Sequence, residues 1–337
     1  MRNLLSSLAL ALCLAAPVSA QQFIPLWPDG KIPNATQIKV EELVANERVQ
    51  SVMIPGMFEY MPNAELFNGT AVVICPGGAY SILSRQKEGL DVAKAYNLMG
   101  VAAYVLNYRL PHTANVDVSY KAPLQDALRA VRKVRERALS WPKSSGKVGI
   151  IGFSAGGHLA TTAGTLFRQD WPNIGDALDT LSCRPDFMIL VYPVISMQQG
   201  LTHQGSRDNL LGKTPSQELI DLFSNEKQVT PQTPPTLLIH ASDDMTVSVA
   251  NSLRFYEALI ANRVRAAMHI FTRGGHGFGP TNRGEIASWV ELSREWLMRN
   301  ELITDPNNPN PPVVRPQMPA RPGVSATISA SAPAPAR

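Results

Sequence analysis

The chain reads as a single α/β domain on a doubly wound, mostly parallel sheet, and three observations predict it. Strand-length apolar runs alternate with segments of helical periodicity from Thr70 to Arg299. The first run, T-A-V-V-I at Thr70–Ile74, has the unbroken apolar character of a central strand buried on both faces. Lys147–His158 reads K-V-G-I-I-G-F-S-A-G-G-H, a G-x-S-x-G turn between a strand-like run and the helical-looking L-A-T-T-A-G-T-L-F.

The N-terminal residues stand apart from this alternation. Arg2, the apolar stretch Leu4–Ala16 and the small residues Val18-Ser19-Ala20 have the order of a secretory leader, residues 1–20. The stretch is too short for a spanning helix, and Leu12 before Cys13 argues against a lipid-anchored cysteine. A soluble exported protein, periplasmic or secreted, is therefore expected. Only Cys75 and Cys183 remain after cleavage, too few for a disulfide framework. No Cys/His spacing suggests a metal, and no cofactor is implied. The net charge of +4 is spread along the chain, which argues against nucleic acid as a partner.

Taken in order, the domain spans residues 21–303. Gln21–Leu66 is irregular and is expected to hold edge strands. Thr70–Ile74 ends in C-P-G-G-A-Y, where two glycines just past a central strand leave backbone N–H groups uncovered. A helix around Lys87–Met99 precedes the strand Ala102–Leu106. Leu124, Ala127, Leu128, Val131 and Val134 then recur at helical spacing, so the basic stretch Arg129–Arg137 is expected to be the solvated face of that helix. Strands follow at Val148–Ile151, Phe187–Tyr192, Thr236–His240 and Ala267–Phe271, with helices around Ser248–Ala261 and Glu285–Arg299. The long connection Ile195–Thr233, with a short helix at Ser216–Phe223, is expected to face the substrate and is too small for a large cap. Residues 304–337 are Pro/Ala-rich and are expected to be disordered.

The serine turn carries the chemistry. Ser154 needs a strained backbone to lift its hydroxyl above the sheet edge, and close packing demands glycine at 152 and 156. A serine hydroxyl is a weak nucleophile without a base, and the base needs an acid to hold its tautomer. Of six histidines, His276 in G-G-H-G-F-G directly follows the last strand on a glycine-rich loop. The acid is expected after the preceding strand, where H-A-S-D-D-M-T-V offers Asp243 and Asp244. Spacing does not choose between them, and one could instead cap the next helix.

Four stretches together resemble the secreted α/β-hydrolases of the acetyl xylan esterase and feruloyl esterase-like group. They are V-V-I-C-P-G-G-A-Y, G-F-S-A-G-G-H-L-A, S-D-D-M-T-V-S-V-A-N-S and G-G-H-G-F-G, with R-P-D-F-M-I-L-V-Y-P-V-I-S between them. The resemblance runs from Thr70 to Trp296. It implies the α/β-hydrolase fold, the triad Ser154, Asp244 and His276, and oxyanion donors at Gly78, Ala79 and Ala155. Ser248 stands where the group has proline and Ala79 where a third glycine is common. The expected substrate is an acylated carbohydrate, with Tyr80, His203 and Arg207 as candidate contacts. A feruloyl or general short-chain esterase, and a peptidase of the prolyl-oligopeptidase type, are the alternatives; no propeller repeats accompany the latter.

Overall fold

Apolar runs that pack on both sides must lie in the middle of a sheet, and this requirement orders the strands. The computed structural model describes residues 22–168, 171, 173–281 and 283–304. The expected leader, and the expected tail beyond Thr304, lie outside the described residues. In chain order come β1 (Gln22–Pro25), β2 (Val44–Ala45), β3 (Arg48–Val49), β4 (Gly56–Tyr60), β5 (Ala71–Cys75), α1 (Asp91–Leu98) and β6 (Ala102–Asn107). Next are α2 (Lys121–Ala138), β7 (Val148–Phe153), α3 (Ser154–Thr165), β8 (Met188–Val191), α4 (Gln204–Leu211) and α5 (Gln217–Leu222). The last are β9 (Thr236–Ala241), α6 (Ala250–Ala261), β10 (Ala266–Phe271) and α7 (Trp289–Arg299).

Eight strands form one sheet in the order β1-β4-β6-β5-β7-β8-β9-β10, and β2 pairs with β3 as a separate ribbon. β1, β4 and β6 pair antiparallel, while β6 through β10 pair parallel. Alternation along β5 serves two cores. Ala71, Val73 and Cys75 face the side of α2, α3 and α6, whereas Val72 and Ile74 face α1 and α7. The chain passes from β5 to β6 on one side and continues through β7 and β8 on the other, so the winding reverses between β5 and β7. A crevice opens beyond the carboxyl ends of the strands at such a reversal. The serine and glycine turns leave β7 and β5 there.

Three expectations need correction. The basic face of α2 is not solvated: Arg129 is buried and paired with Asp176, Arg132 with Asp179, Arg135 with Asp186 and Arg137 with Glu59. The connection after α3 supplies three of those acids, so the charges are satisfied within the fold. The insertion also holds a second helix, α4, which the sequence reading lacked. Its N-cap is His203, whose ring accepts from the Ser206 N–H; histidine is not among the usual capping residues. The helix expected from Lys87 begins instead with a π-helical turn, Gln86–Leu90, before α1. No helix among the described residues is long and apolar enough to cross a membrane.

Candidate active site

The Ser154 turn follows from local sterics. Ser154 has φ of 52°, a left-handed conformation that costs energy for any residue with a side chain. A Cβ at Gly152 would lie 2.3 Å from the Gly156 carbonyl oxygen, and one at Gly156 2.2 Å from that of Cys75. Both positions exclude larger residues. Ser154 and Ala155 open α3, whose first N–H groups have no partner within the helix.

Three side chains from three loops meet. His276 Nε2 lies 2.9 Å from Ser154 Oγ, and His276 Nδ1 lies 2.7 Å from Asp244 Oδ2. With Nδ1–H donating to the carboxylate, Nε2 is free to accept the serine proton. Asp244 Oδ1 accepts from the N–H groups of Thr246 and Val247, each at 2.9 Å. His240 Nε2 lies 3.3 Å from Asp244 Oδ2. Burial pushes the Asp244 carboxyl up, but hydrogen bonds from His240, His276 and Val247 outweigh it and hold the pKa well below the carboxylate range. The group therefore stays ionised beside His276.

The adjacent aspartates divide the work. Asp243 Oδ1 accepts from the N–H groups of Gly274 and Gly275, both at 2.8 Å, and so ties down the loop that carries His276. Neither aspartate is idle.

The turn after β5 presents its backbone to Ser154. Gly78, Ala79 and Tyr80 have φ of 130°, 56° and 59° in succession. The N–H groups of Gly78 and Ala79 donate to no acceptor among the described residues. A Cβ on Gly77 would sit 2.9 Å from Ser154 Cβ, so this turn lies directly against the serine. Such free N–H groups are suited to an oxyanion.

The candidate substrate contacts fare differently. Tyr80 is a correction: it is buried, and its hydroxyl is hydrogen-bonded to His158 Nδ1 at 2.8 Å. His158 Nε2–H donates to the Phe223 carbonyl, also at 2.8 Å. Burial pulls the His158 pKa down to about 4, so the ring is neutral and braces the oxyanion turn rather than titrating near neutrality. His203 is half-buried at the start of α4, where burial and the nearby His276 hold its pKa low. Its Nδ1 is hydrogen-bonded to Ser206 at the head of the same helix. Arg207 is partly exposed, and its Nη1 donates to the Met197 carbonyl at 3.3 Å. Two residues on, about 200° around the helix, Asn209 is the one that reaches the site: its Nδ2 donates to the Ala79 carbonyl at 2.8 Å.

Sequence reasoning missed Glu88, Tyr192 and the part played by His240. Tyr192 lies under His276 with ring centroids 4.8 Å apart, at an unfavourable φ of 38°. Glu88 is buried beside Gly77. A charged residue next to Gly89 at the head of an apolar helix was the only available signal.

With this geometry in place, similarity to known proteins can be set beside it. The BD-FAE family matches residues 59–259. Endo-1,4-beta-xylanase B of Butyrivibrio fibrisolvens is 36% identical over 73% of this chain and 38% of its own. An acetylxylan esterase of Xylanibacter ruminicola is 37% identical over 63% of this chain and 42% of its own. The chain thus spans about two fifths of the length of these curated relatives. The acetyl ester-xyloside bifunctional hydrolase of Caldicellulosiruptor lactoaceticus superposes with a TM-score of 0.72 at 34% identity, covering 84% of this chain and 97% of that one. The fold is that of the α/β-hydrolases, and the chain belongs to the BD-FAE family.

Proposed function

We propose that the protein is a serine carboxylesterase that removes acetyl groups from xylan or its oligosaccharides. The observation that carries this reading is the continuous hydrogen-bonded chain Ser154–His276–Asp244 against an open backbone turn. Ser154 Oγ attacks the ester carbonyl while His276 Nε2 takes its proton, and Asp244 stabilises the imidazolium that forms. The N–H groups of Ala155 and of Gly78 or Ala79 hold the oxyanion. His276 then protonates the departing sugar hydroxyl and activates water to release acetate. The site needs no cofactor for these steps.

The names of the relatives support acetylated xylan as the substrate class. Glycoside cleavage, the activity named for the Butyrivibrio relative, needs two carboxylates flanking the bond. The relay here presents a serine instead. The insertion is polar, and Asn209 binds the turn beside Ser154, which suits a hydroxyl-rich leaving group. Export by the leader is part of the same proposal, and protein recovered outside the cytoplasm should begin at Gln21.

The test is acetate release from acetylated xylan, run beside methyl ferulate and an aminoacyl-anilide. Release of acetate well above the Ser154→Ala blank is expected. Preference for the ferulate would move the assignment to feruloyl esters, and cleavage of the anilide alone would replace it with a peptidase.

A further inference from the structure

Behind the reacting groups lies a second buried carboxylate. Glu88 sits in the π-helical turn Gln86–Leu90, where an i→i+5 turn bulges the backbone. The side chain is buried, at 5% exposure. Its Oε2 accepts from the Gly77 N–H at 2.8 Å, and its Oε1 accepts from the Tyr192 hydroxyl at 2.9 Å. The Tyr192 oxygen in turn accepts from the Gly279 N–H at 3.1 Å. Gly77 opens the oxyanion turn, Tyr192 supports the His276 ring, and Gly279 ends the histidine loop. One side chain thus joins the backing of all three reacting parts.

The hydrogen-bond inventory shows an acceptor held between two donors. The Gly77 N–H can only donate. Tyr192 accepts from the Gly279 N–H and gives its own proton to Glu88. Both carboxyl oxygens therefore face donors. Close packing leaves no slack: a Cβ at Gly77 would meet Glu88 Oε2 at 2.7 Å, and one at Gly279 would meet Lys87 Cγ at 2.9 Å. The π turn is wedged against both loops.

We propose that Glu88 is a positioning residue for ester hydrolysis: it fixes the oxyanion turn through Gly77 and the histidine loop through Tyr192. Glu88 acts behind these groups and does not touch the substrate. The inference rests on the esterase reading of Ser154. Burial pushes the carboxyl above its ordinary range, and the hydrogen bonds from Tyr192 and Gly77, then the charges of His276 and Lys87, oppose it only in part.

Glu88→Gln preserves size and removes the charge, but its amide NH₂ must then confront one of the two donors. On 4-nitrophenyl acetate, kcat is expected to fall about tenfold to a hundredfold with KM nearly unchanged, as loss of one buried hydrogen bond implies. A purely structural role would lower the folded fraction without lowering kcat per folded site. Phosphonate titration counts folded sites, so kcat is expressed per titrated site. Tyr192→Phe removes only the relaying hydroxyl and decides the matter if Glu88→Gln does not fold; a several-fold loss of kcat per site is expected. Wild-type kcat per site in a folded Glu88→Gln protein overturns the proposal, as does wild-type kcat in Tyr192→Phe where the first variant is not obtained. Wild-type protein no more active than Ser154→Ala would instead overturn the esterase reading.

Discussion

The nucleophile turn and the histidine loop belong to one site, yet they are built by different means. Gly152–Gly157 is held by backbone: a strand enters, a helix leaves, and carbonyl oxygens sit where side chains of 152 and 156 would be. Residues 272–279 have no regular structure and are held by side chains reaching in from elsewhere. Asp243 takes the N–H groups of Gly274 and Gly275, Glu285 takes that of Thr272, and Tyr192 takes that of Gly279. The Trp289 indole donates to the Gly279 carbonyl at 2.8 Å. The lesson is that the first region stores its geometry in local strain, and the second borrows it. Substitutions in the first should damage chemistry outright, whereas those around the second should loosen it by degrees.

The largest expected effect is at the turn itself. Ser154→Ala should lower kcat by roughly 10⁶-fold, because triad members act as a unit. The fold should survive, since alanine keeps the same backbone requirement at φ of 52°. A serine-directed phosphonate should label the wild-type protein at Ser154 only, as read by peptide mass; labelling elsewhere would refute the nucleophile.

Next come the two aspartates, which contrast chemistry with loop support. Asp244→Asn should cost about 10⁴-fold in kcat by presenting the wrong partner to His276. Asp243→Ala loses both loop hydrogen bonds and should cost about tenfold to a hundredfold. Asp243→Asn should be mild, because both donors converge on a single oxygen that an amide can supply. Steady-state kinetics on one nitrophenyl ester rank all three, and a reversed order for 243 and 244 would break the division of labour drawn here.

A smaller effect tests the brace under the oxyanion turn. His158 is fully buried with a pKa of about 4, below its unfolded value of about 6.5. Its contribution to stability is therefore complete above about pH 6.5 and is lost as pH falls from there toward about 4, reaching roughly 3 kcal/mol. Thermal unfolding midpoints should drop more between pH 7 and 4.5 in the wild type than in His158→Gln. Equal slopes would show that the ring takes up its proton without penalty.

The smallest effect concerns acyl length, where each methylene that fits is worth about 0.8 kcal/mol. The insertion beside the site supplies polar groups, so turnover of nitrophenyl esters should be highest for acetate and fall steeply by octanoate. Equal rates on octanoate would remove the small-acyl reading while leaving the esterase relay intact.

These contrasts also explain what could be read in advance. The order of strands and helices, the G-x-S-x-G turn and the glycine-flanked His276 were legible because each depends on neighbours in the chain: strand period, backbone sterics and turn chemistry act over a few residues. Ser154, Asp244 and His276, chosen on motif and resemblance, lie in one hydrogen-bonded chain. Tyr80 was misread because side-chain direction depends on what comes to lie opposite. His158, 78 residues away, claims its hydroxyl, and the Phe223 carbonyl holds the other ring nitrogen of that histidine. Glu88 and Tyr192, 104 residues apart, share no local pattern at all. Buried polar groups must find partners wherever the fold brings them. Local strain writes itself into the residues that bear it, whereas a hydrogen bond between distant loops acquires its partners when the sheet closes the distance.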